Sequence, residues 1–239
     1  SDLGKNTTCL VIEHENKEII IDAGTGIINH LNSSPLKNHH IIFTHYHMDH
    51  IIGLPFIENL YKSDQSFQLY GPNLHSFTTS NIVDSLFQKP FFPMSVDSIK
   101  ANIKHTILMD KSIHIINDFA IETLNTNHPG GCMVYSIKIA DKKIVILTDI
   151  QYDIDNLSDV ISLSKNADIL YIDGYLTENE LKDNDIGHCT IEKAIMIFDQ
   201  SNSKKLLIGH HRNNRQYSSL KNYENEHIKI AIENTSHIL

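Results

Sequence analysis

Six times along this chain a stretch that reads as a buried strand ends and a histidine or an aspartate follows. The stops are Asp22, the cluster His45-Tyr46-His47-Met48-Asp49-His50, His128, Asp149, Asp173 and His210. Short apolar runs bounded by turn residues read as buried strands. A strand end is rigid and opens into a loop, so several of them can aim side chains at one point. Every side chain at these stops is able to bind a metal.

The rest of the chain is read around those stops. Residues 9–13 and 18–22 are two strands about a polar turn from His14 to Lys17, and 40–44 is a third. A short strand covers 69–72, and 104–109, 112–117, 119–126 and 133–139 alternate as strands joined by polar turns. Buried strands follow over 143–147, 168–172 and 206–208. The patterns predict helices over 51–61, 73–87, 157–165 and 191–198, with one or two more over 217–234. Thr190 is placed to cap the helix that follows it. Runs of strands with helices interleaved give an α/β (α+β) protein, consistent with two sheets packed together and helices outside. No repeat or linker divides residues 1–239, so a single domain is expected.

Composition limits what such a domain does. The net charge of −9 repels long polyanions, which makes duplex nucleic acid a poor default partner. Three widely spaced cysteines form no disulfide framework and point to a reducing compartment. No apolar run approaches the ~18 residues that suggest a membrane span. A cytoplasmic location, in a bacterium or a phage-infected host, is expected. The sixteen histidines matter through their placement rather than their number.

In His45-Tyr46-His47 two imidazoles stand two residues apart, and extended backbone turns both to one side. Asp49 and His50 follow where the chain bends towards a helix, within reach of a second position. Three histidines and an aspartate within six residues thus supply half-shells for two adjacent ions.

Thr44 to His50, followed by Ile51-Ile52-Gly53-Leu54, is similar to the signature of the metallo-β-lactamase superfamily. Asp22, His128-Pro129-Gly130-Gly131, Thr148-Asp149 and Gly209-His210 resemble its other motifs, in the expected order along nearly the whole chain. The resemblance implies an αββα sandwich. It also implies that the usual first strand, which precedes the segment equivalent to Gly4–Cys9, is missing here, through trimming or because this member is shorter. By the same resemblance His45, His47 and His128 hold one divalent ion, and Asp49, His50 and His210 the other. Asp149 and a water or hydroxide bridge them, and Asp22 orients a ligand histidine. Zinc is the expected metal, and manganese would also suit these ligands. His211 competes with His210, but the apolar run 206–209 leads directly into His210.

Gly187-His188-Cys189-Thr190 resembles the His-Ser-Thr type motif of the phosphodiesterase branch, which includes tRNase Z. Asp173 falls where that branch places a carboxylate paired with this histidine, an arrangement suited to assisting a leaving alkoxide. Asp49, Asp173 and His188 are therefore the expected catalytic residues. Together with the long stretch from Gly71 to Pro93, these features resemble bacterial and phage phosphodiesterases that cut cyclic nucleotides. The expected reaction is hydrolysis of a small phosphodiester, a 3′,5′-cyclic nucleotide, by a metal-bridged hydroxide in a homodimer. His211, Arg212 and Arg215 are candidate substrate contacts, whereas Phe91, Phe92 and Tyr175 read better as core aromatics than as a base platform. A tRNase Z-like endoribonuclease is the rival, although no basic glycine-rich arm lies between Asp149 and His188. A thiolesterase or lactonase on the same fold would use the same ions, and a metal-binding module without activity would hold them and catalyse nothing.

Overall fold

Ile19, Ile20 and Ile21 are β-branched and wholly buried, as expected of a strand covered on both faces. They belong to β2 (Lys17–Ile21), which pairs antiparallel with β1 (Leu10–His14). The computed structural model describes residues 2–182 and 187–239. It divides into two compact units, one of Asn6–Met109 and one of Ser1–Lys5 with Asp110–Leu239.

In the first unit β2 leads into α1 (Gly26–Ser33), β3 (Asn38–Ile42), α2 (Met48–Ile51), β4 (Ser66–Gly71), α3 (Thr79–Leu86) and β5 (Asn102–Ile107). The five strands lie in chain order, and the β2–β3, β3–β4 and β4–β5 pairs are parallel. Ile27 and Leu31, one helical turn apart, bury α1 against a core that includes Ile41, Phe43, Phe67 and Leu69.

The helix expected over 51–61 is not continuous. It is one turn, α2, followed by 3-10 turns at Leu54–Phe56 and Glu58–Tyr61. Gly53 is a poor helix former and Pro55 lacks a donor, which ends the helix; glycine is required there because a Cβ would sit 2.2 Å from the Gly24 carbonyl oxygen. The helix expected from 73 starts only at Thr79. His75 and Ser76 take positive φ in a tight turn before it, and Asn81 Oδ1 accepts from the Thr78 N–H at 2.9 Å to set the helix start.

The second unit holds β6 (Ile113–Ile116), β7 (Phe119–Thr126), β8 (Cys132–Ile139), β9 (Lys142–Leu147), α4 (Leu157–Ser164), β10 (Ile169–Asp173), α5 (Ile191–Ser201), β11 (Leu206–Gly209) and β12 (Ile228–Ile230). Its sheet runs β12-β11-β10-β9-β8-β7-β6. The four strands from β9 to β12 are parallel, and β6 to β9 form an antiparallel meander. By these pairings β7, β9, β10 and β11 all finish at the same edge of the sheet. Ala194, Ile197 and Phe198 of α5 pack on Leu170, Ile172 and Ile208. Thr190 caps α5 by accepting from the Lys193 N–H at 3.1 Å.

Residues 217–234 are not helical as expected. They form two 3-10 turns, Tyr217–Ser219 and Lys221–Tyr223, and then β12, which pairs parallel with β11. The alternation Ile228-Lys229-Ile230 buries both isoleucines, so burial against a ready strand outweighs the helical spacing of the neighbouring residues. No helix among the described residues is long and apolar enough to cross a membrane.

Candidate metal centre

In the first unit the parallel strands β2 and β3 end side by side. Asp22 follows β2 with φ of +63°, a left-handed conformation that aspartate tolerates better than most residues. Its backbone N–H donates to the Ile42 carbonyl at 2.9 Å, and its carboxylate is fully buried. Oδ1 accepts from the Thr44 N–H at 2.7 Å, and Oδ2 accepts from the Thr44 hydroxyl and from His50 Nδ1, each at 2.7 Å. Having given its proton to Asp22, the Thr44 hydroxyl accepts from His45 Nδ1 at 3.1 Å.

These bonds place the ring protons of His45 and His50 on Nδ1 and leave Nε2 of each as the lone-pair atom. The His45 ring centroid lies 4.5 Å from that of His47 and 4.2 Å from that of His50. Asp49 Oδ2 stands 3.5 Å from His50 Nε2. His45 and His50 are buried while His47 is exposed. One stretch of six residues therefore presents three imidazoles and a carboxylate together.

In the second unit the ends of β7, β9, β10 and β11 carry His128, Asp149, Asp173 and His210. His128 Nδ1 donates to the Gly187 carbonyl at 2.7 Å, which again leaves Nε2 as the lone-pair atom, 3.9 Å from Asp149 Oδ2. Asp149 Oδ1 accepts from the Thr148 hydroxyl at 2.7 Å and lies 2.8 Å from His210 Nδ1. Asp149 and His210 both have positive φ, +55° and +50°. Backbone of this kind in a non-glycine residue persists where surrounding structure holds it, often at functional sites.

Asp173 is fully buried and its oxygens are well supplied with donors. Oδ2 accepts from His188 Nδ1 at 2.9 Å and from the Cys189 N–H at 3.4 Å, and Oδ1 accepts from the Tyr175 N–H at 2.8 Å. Burial pushes the Asp173 carboxyl above the usual carboxylate range, opposed by the His188 hydrogen bond. Asp149, Asp173 and His188 each offer an atom within 4.8 Å of the others.

Of the three suggested substrate contacts, His211 stands apart from the two arginines. His211 Nε2 donates to the Ala231 carbonyl at 3.2 Å, and burial lowers its pKa to about 4, so it is a neutral ring tied to the backbone. Arg212 is exposed and lines an open cleft of about 310 Å³ together with Arg215, Glu180 and Asn213. Arg215 is also held by Glu180, at 2.8 and 2.6 Å, and by the Tyr175 carbonyl at 2.9 Å.

The aromatics expected in the core also differ. Phe92 packs edge-on against Phe87 and Phe56, but Phe91 is 80% exposed. Tyr175 stacks on the His188 ring. Sequence reading quoted Thr44 and Gly187 only as members of motifs, without a role, and gave Glu180 none. Thr44 stands directly before the first histidine, the only signal that pointed to it. Gly187 acts through its carbonyl and Glu180 through a partner far along the chain, so the pattern disclosed neither role.

A model of the β-lactamase superfamily domain matches residues 17–211. Over 279 aligned positions the chain is 23% identical to a ribonuclease Z of Pyrococcus horikoshii, covering 95% of this chain and 86% of that protein. The ribonuclease Z of Thermococcus kodakarensis is 30% identical over 146 positions, 58% of this chain and 43% of that protein, so that match spans less than half of the relative. Among solved structures, the metallo-β-lactamase fold protein YhfI of Bacillus subtilis superposes with a TM-score of 0.75 at 19% identity, over 95% of this chain and 89% of its own. A diphosphatase of the PhnP family superposes with a TM-score of 0.72 at 16% identity, over 94% and 81%. The two sheets and the helices about them have the metallo-β-lactamase fold, and the chain belongs to the β-lactamase superfamily.

Proposed function

We propose that this protein is a dinuclear metal-dependent phosphodiesterase. His45, His47 and His128 are assigned to one divalent ion, Asp49, His50 and His210 to the other, and Asp149 to both, following the order of the family motifs. The donor chemistry supports this. Three of the histidines have Nδ1 engaged by Thr44, Asp22 or Gly187, which is how ligand imidazoles are commonly oriented for metal binding through Nε2. Imidazole and carboxylate donors suit zinc, manganese and related ions alike, so zinc is the first metal to test. Bound there, two such ions would acidify a water and offer positive charge to the phosphoryl oxygens.

The likeness of Gly187-His188-Cys189-Thr190 to the phosphodiesterase motif favours a phosphodiester over a lactone, and one observation carries the choice of an oxygen ester over a thiolester. It is the pairing of buried Asp173 with half-buried His188 at 2.9 Å, within 4.8 Å of Asp149. A hydroxide, formed when the water releases a proton to solvent, makes a new oxygen–phosphorus bond as the bond to the leaving oxygen breaks, and the leaving oxygen departs with the electron pair. An alkoxide is a poor leaving group unless it gains a proton. His188 Nε2 delivers that proton, while Asp173 holds Nδ1 and fixes which nitrogen faces outward. Asp49 helps orient the attacking water.

The substrate proposed is small, a 3′,5′-cyclic nucleotide, in keeping with the net charge of −9. RNA is the second reading, favoured by the ribonuclease Z relative that aligns with 95% of this chain. The deciding experiment is turnover by zinc- or manganese-loaded protein of cyclic mononucleotides, bis(p-nitrophenyl) phosphate, a precursor tRNA and a lactone. Hydrolysis of cyclic mononucleotides is expected. Cleavage of the precursor tRNA alone would replace the substrate assignment, and hydrolysis of the lactone alone would overturn the reaction class.

A further inference from the structure

A hydrogen bond at one ring nitrogen does not fix an imidazole. Asp173 holds His188 Nδ1 at 2.9 Å, yet the ring is still free to swing about that bond, and a swing carries Nε2 away from its target. The rings of His210 and His128 lie 5.1 and 5.8 Å from that of His188, tilted and edge-on, and the nearer, stacked neighbour is Tyr175. The two ring centroids are 4.2 Å apart and the planes 18° from parallel, an offset stack that resists rotation of the imidazole plane.

Tyr175 is itself held at both backbone ends. Its N–H donates to Asp173 Oδ1 at 2.8 Å, so one carboxylate sets the position of both stacked residues. Its carbonyl accepts from Arg215 Nη2 at 2.9 Å. Arg215 is only 10% exposed in its side chain and forms a two-pronged pair with Glu180, which also accepts from the Thr177 N–H at 2.9 Å. Fork-to-fork pairing of this kind has little rotational freedom.

We infer that Tyr175 is a positioning residue that sets the plane of the His188 ring, and that the Arg215–Glu180 pair keeps Tyr175 in place. The inference rests on the reading of His188 as proton donor to the leaving oxygen, and it assigns Arg215 to the reaction by a route other than substrate contact. Misplacing a reacting group by an ångström is enough to cost on the order of 100-fold in rate.

The test compares two diesters that share a phosphoryl part. One releases p-nitrophenolate, which leaves without a proton, and the other releases an alkoxide, which needs one. With metal-loaded protein, Tyr175→Leu is expected to lose about 30-fold more kcat on the alkyl ester than on the nitrophenyl ester, with KM moving little. Tyr175→Phe keeps the ring and restores the wild-type ratio, and Arg215→Met gives a smaller selective loss in the same direction. A second readout needs no turnover: in metal-free protein the His188 Hε1 resonance, assigned by its loss in His188→Gln, is shifted by the Tyr175 ring current. That shift persists in Tyr175→Phe and disappears in Tyr175→Leu.

Equal losses on both esters in Tyr175→Leu, or an unmoved resonance, overturn the inference. His188→Gln separates the two levels. If it shows the selective loss and Tyr175→Leu does not, the positioning role alone falls. If His188→Gln loses both esters alike, the reading of His188 falls and takes this inference with it.

Discussion

His50 Nδ1 donates to Asp22 Oδ2 at 2.7 Å, with neither side chain exposed to solvent. The same carboxylate accepts two further hydrogen bonds from Thr44, so one buried aspartate orients His50 directly and His45 through the Thr44 hydroxyl. Asparagine at this position has one acceptor oxygen for three donors. Asp22→Asn is therefore expected to weaken metal binding by about 10- to 100-fold, read from metal content after dialysis against graded free zinc. Asp22→Ala leaves all three donors buried and is expected to cost about 3 kcal/mol in urea unfolding of the metal-free protein. Wild-type metal affinity in both variants would remove Asp22 from the site.

Gly209 lies beneath the Tyr171 ring in the strand that leads to His210. A Cβ there would meet Tyr171 Oη at 2.0 Å and Cζ at 2.3 Å. Since Tyr171 is buried, it has little room to withdraw. Gly209→Ala is expected to destabilise by roughly 1–3 kcal/mol, and combining it with Tyr171→Leu recovers at least ~1 kcal/mol of coupling. Strict additivity in the double-mutant cycle would mean that the clash is relieved elsewhere.

Strand ends were the legible part of this chain because β-branched runs such as Glu18-Ile19-Ile20-Ile21-Asp22 state both the strand and its stop. Family order then gathered distant residues that spacing alone does not connect. What stayed hidden depended on contacts across the fold. The helix α1 carries only two buried apolar residues, Ile27 and Leu31, among glycine, asparagine and serine, so its propensity is poor and its spacing was the one usable clue. Strand β12 is three residues long and forms against β11, which no local pattern announces. Arg215 stood beside the expected ligand His210, and proximity in sequence suggested a phosphate contact. Its partner Glu180 lies 35 residues away, which spacing could not disclose.

Acid stability tests that pair. Arg215 holds the Glu180 carboxyl at about 2, below its ordinary range. The folded protein thus binds fewer protons at this site than the unfolded chain between roughly pH 4.5 and 2. The stabilisation is present above the unfolded value and is lost as pH falls towards the folded one. In thermal melts the gap between wild type and Glu180→Gln should be widest near pH 6 and close as pH drops below about 4.5. A gap that stays constant across that range would show that the carboxylate charge is not what Arg215 holds.

The sharpest test of the proposed metal centre is a count. Asp149 sits between His128 Nε2 at 3.9 Å and His210 Nδ1 at 2.8 Å, and it is the residue assigned to both ions. Its φ of +55° suits asparagine nearly as well as aspartate, so Asp149→Asn should preserve the backbone while removing the shared charge. Wild-type protein is expected to hold two ions per chain after dialysis, and the variant about one, with hydrolysis reduced by about 100-fold or more. Stripping metal from the wild type with a chelator should lower its unfolding midpoint, because ions that bind only the folded state stabilise it by mass action, by about 2.7 kcal/mol at 100 times Kd. Asp149→Asn should show a smaller chelator effect and an unaltered metal-free midpoint. Two tightly held ions in the variant would rule out Asp149 as the bridge, whatever happened to the rate.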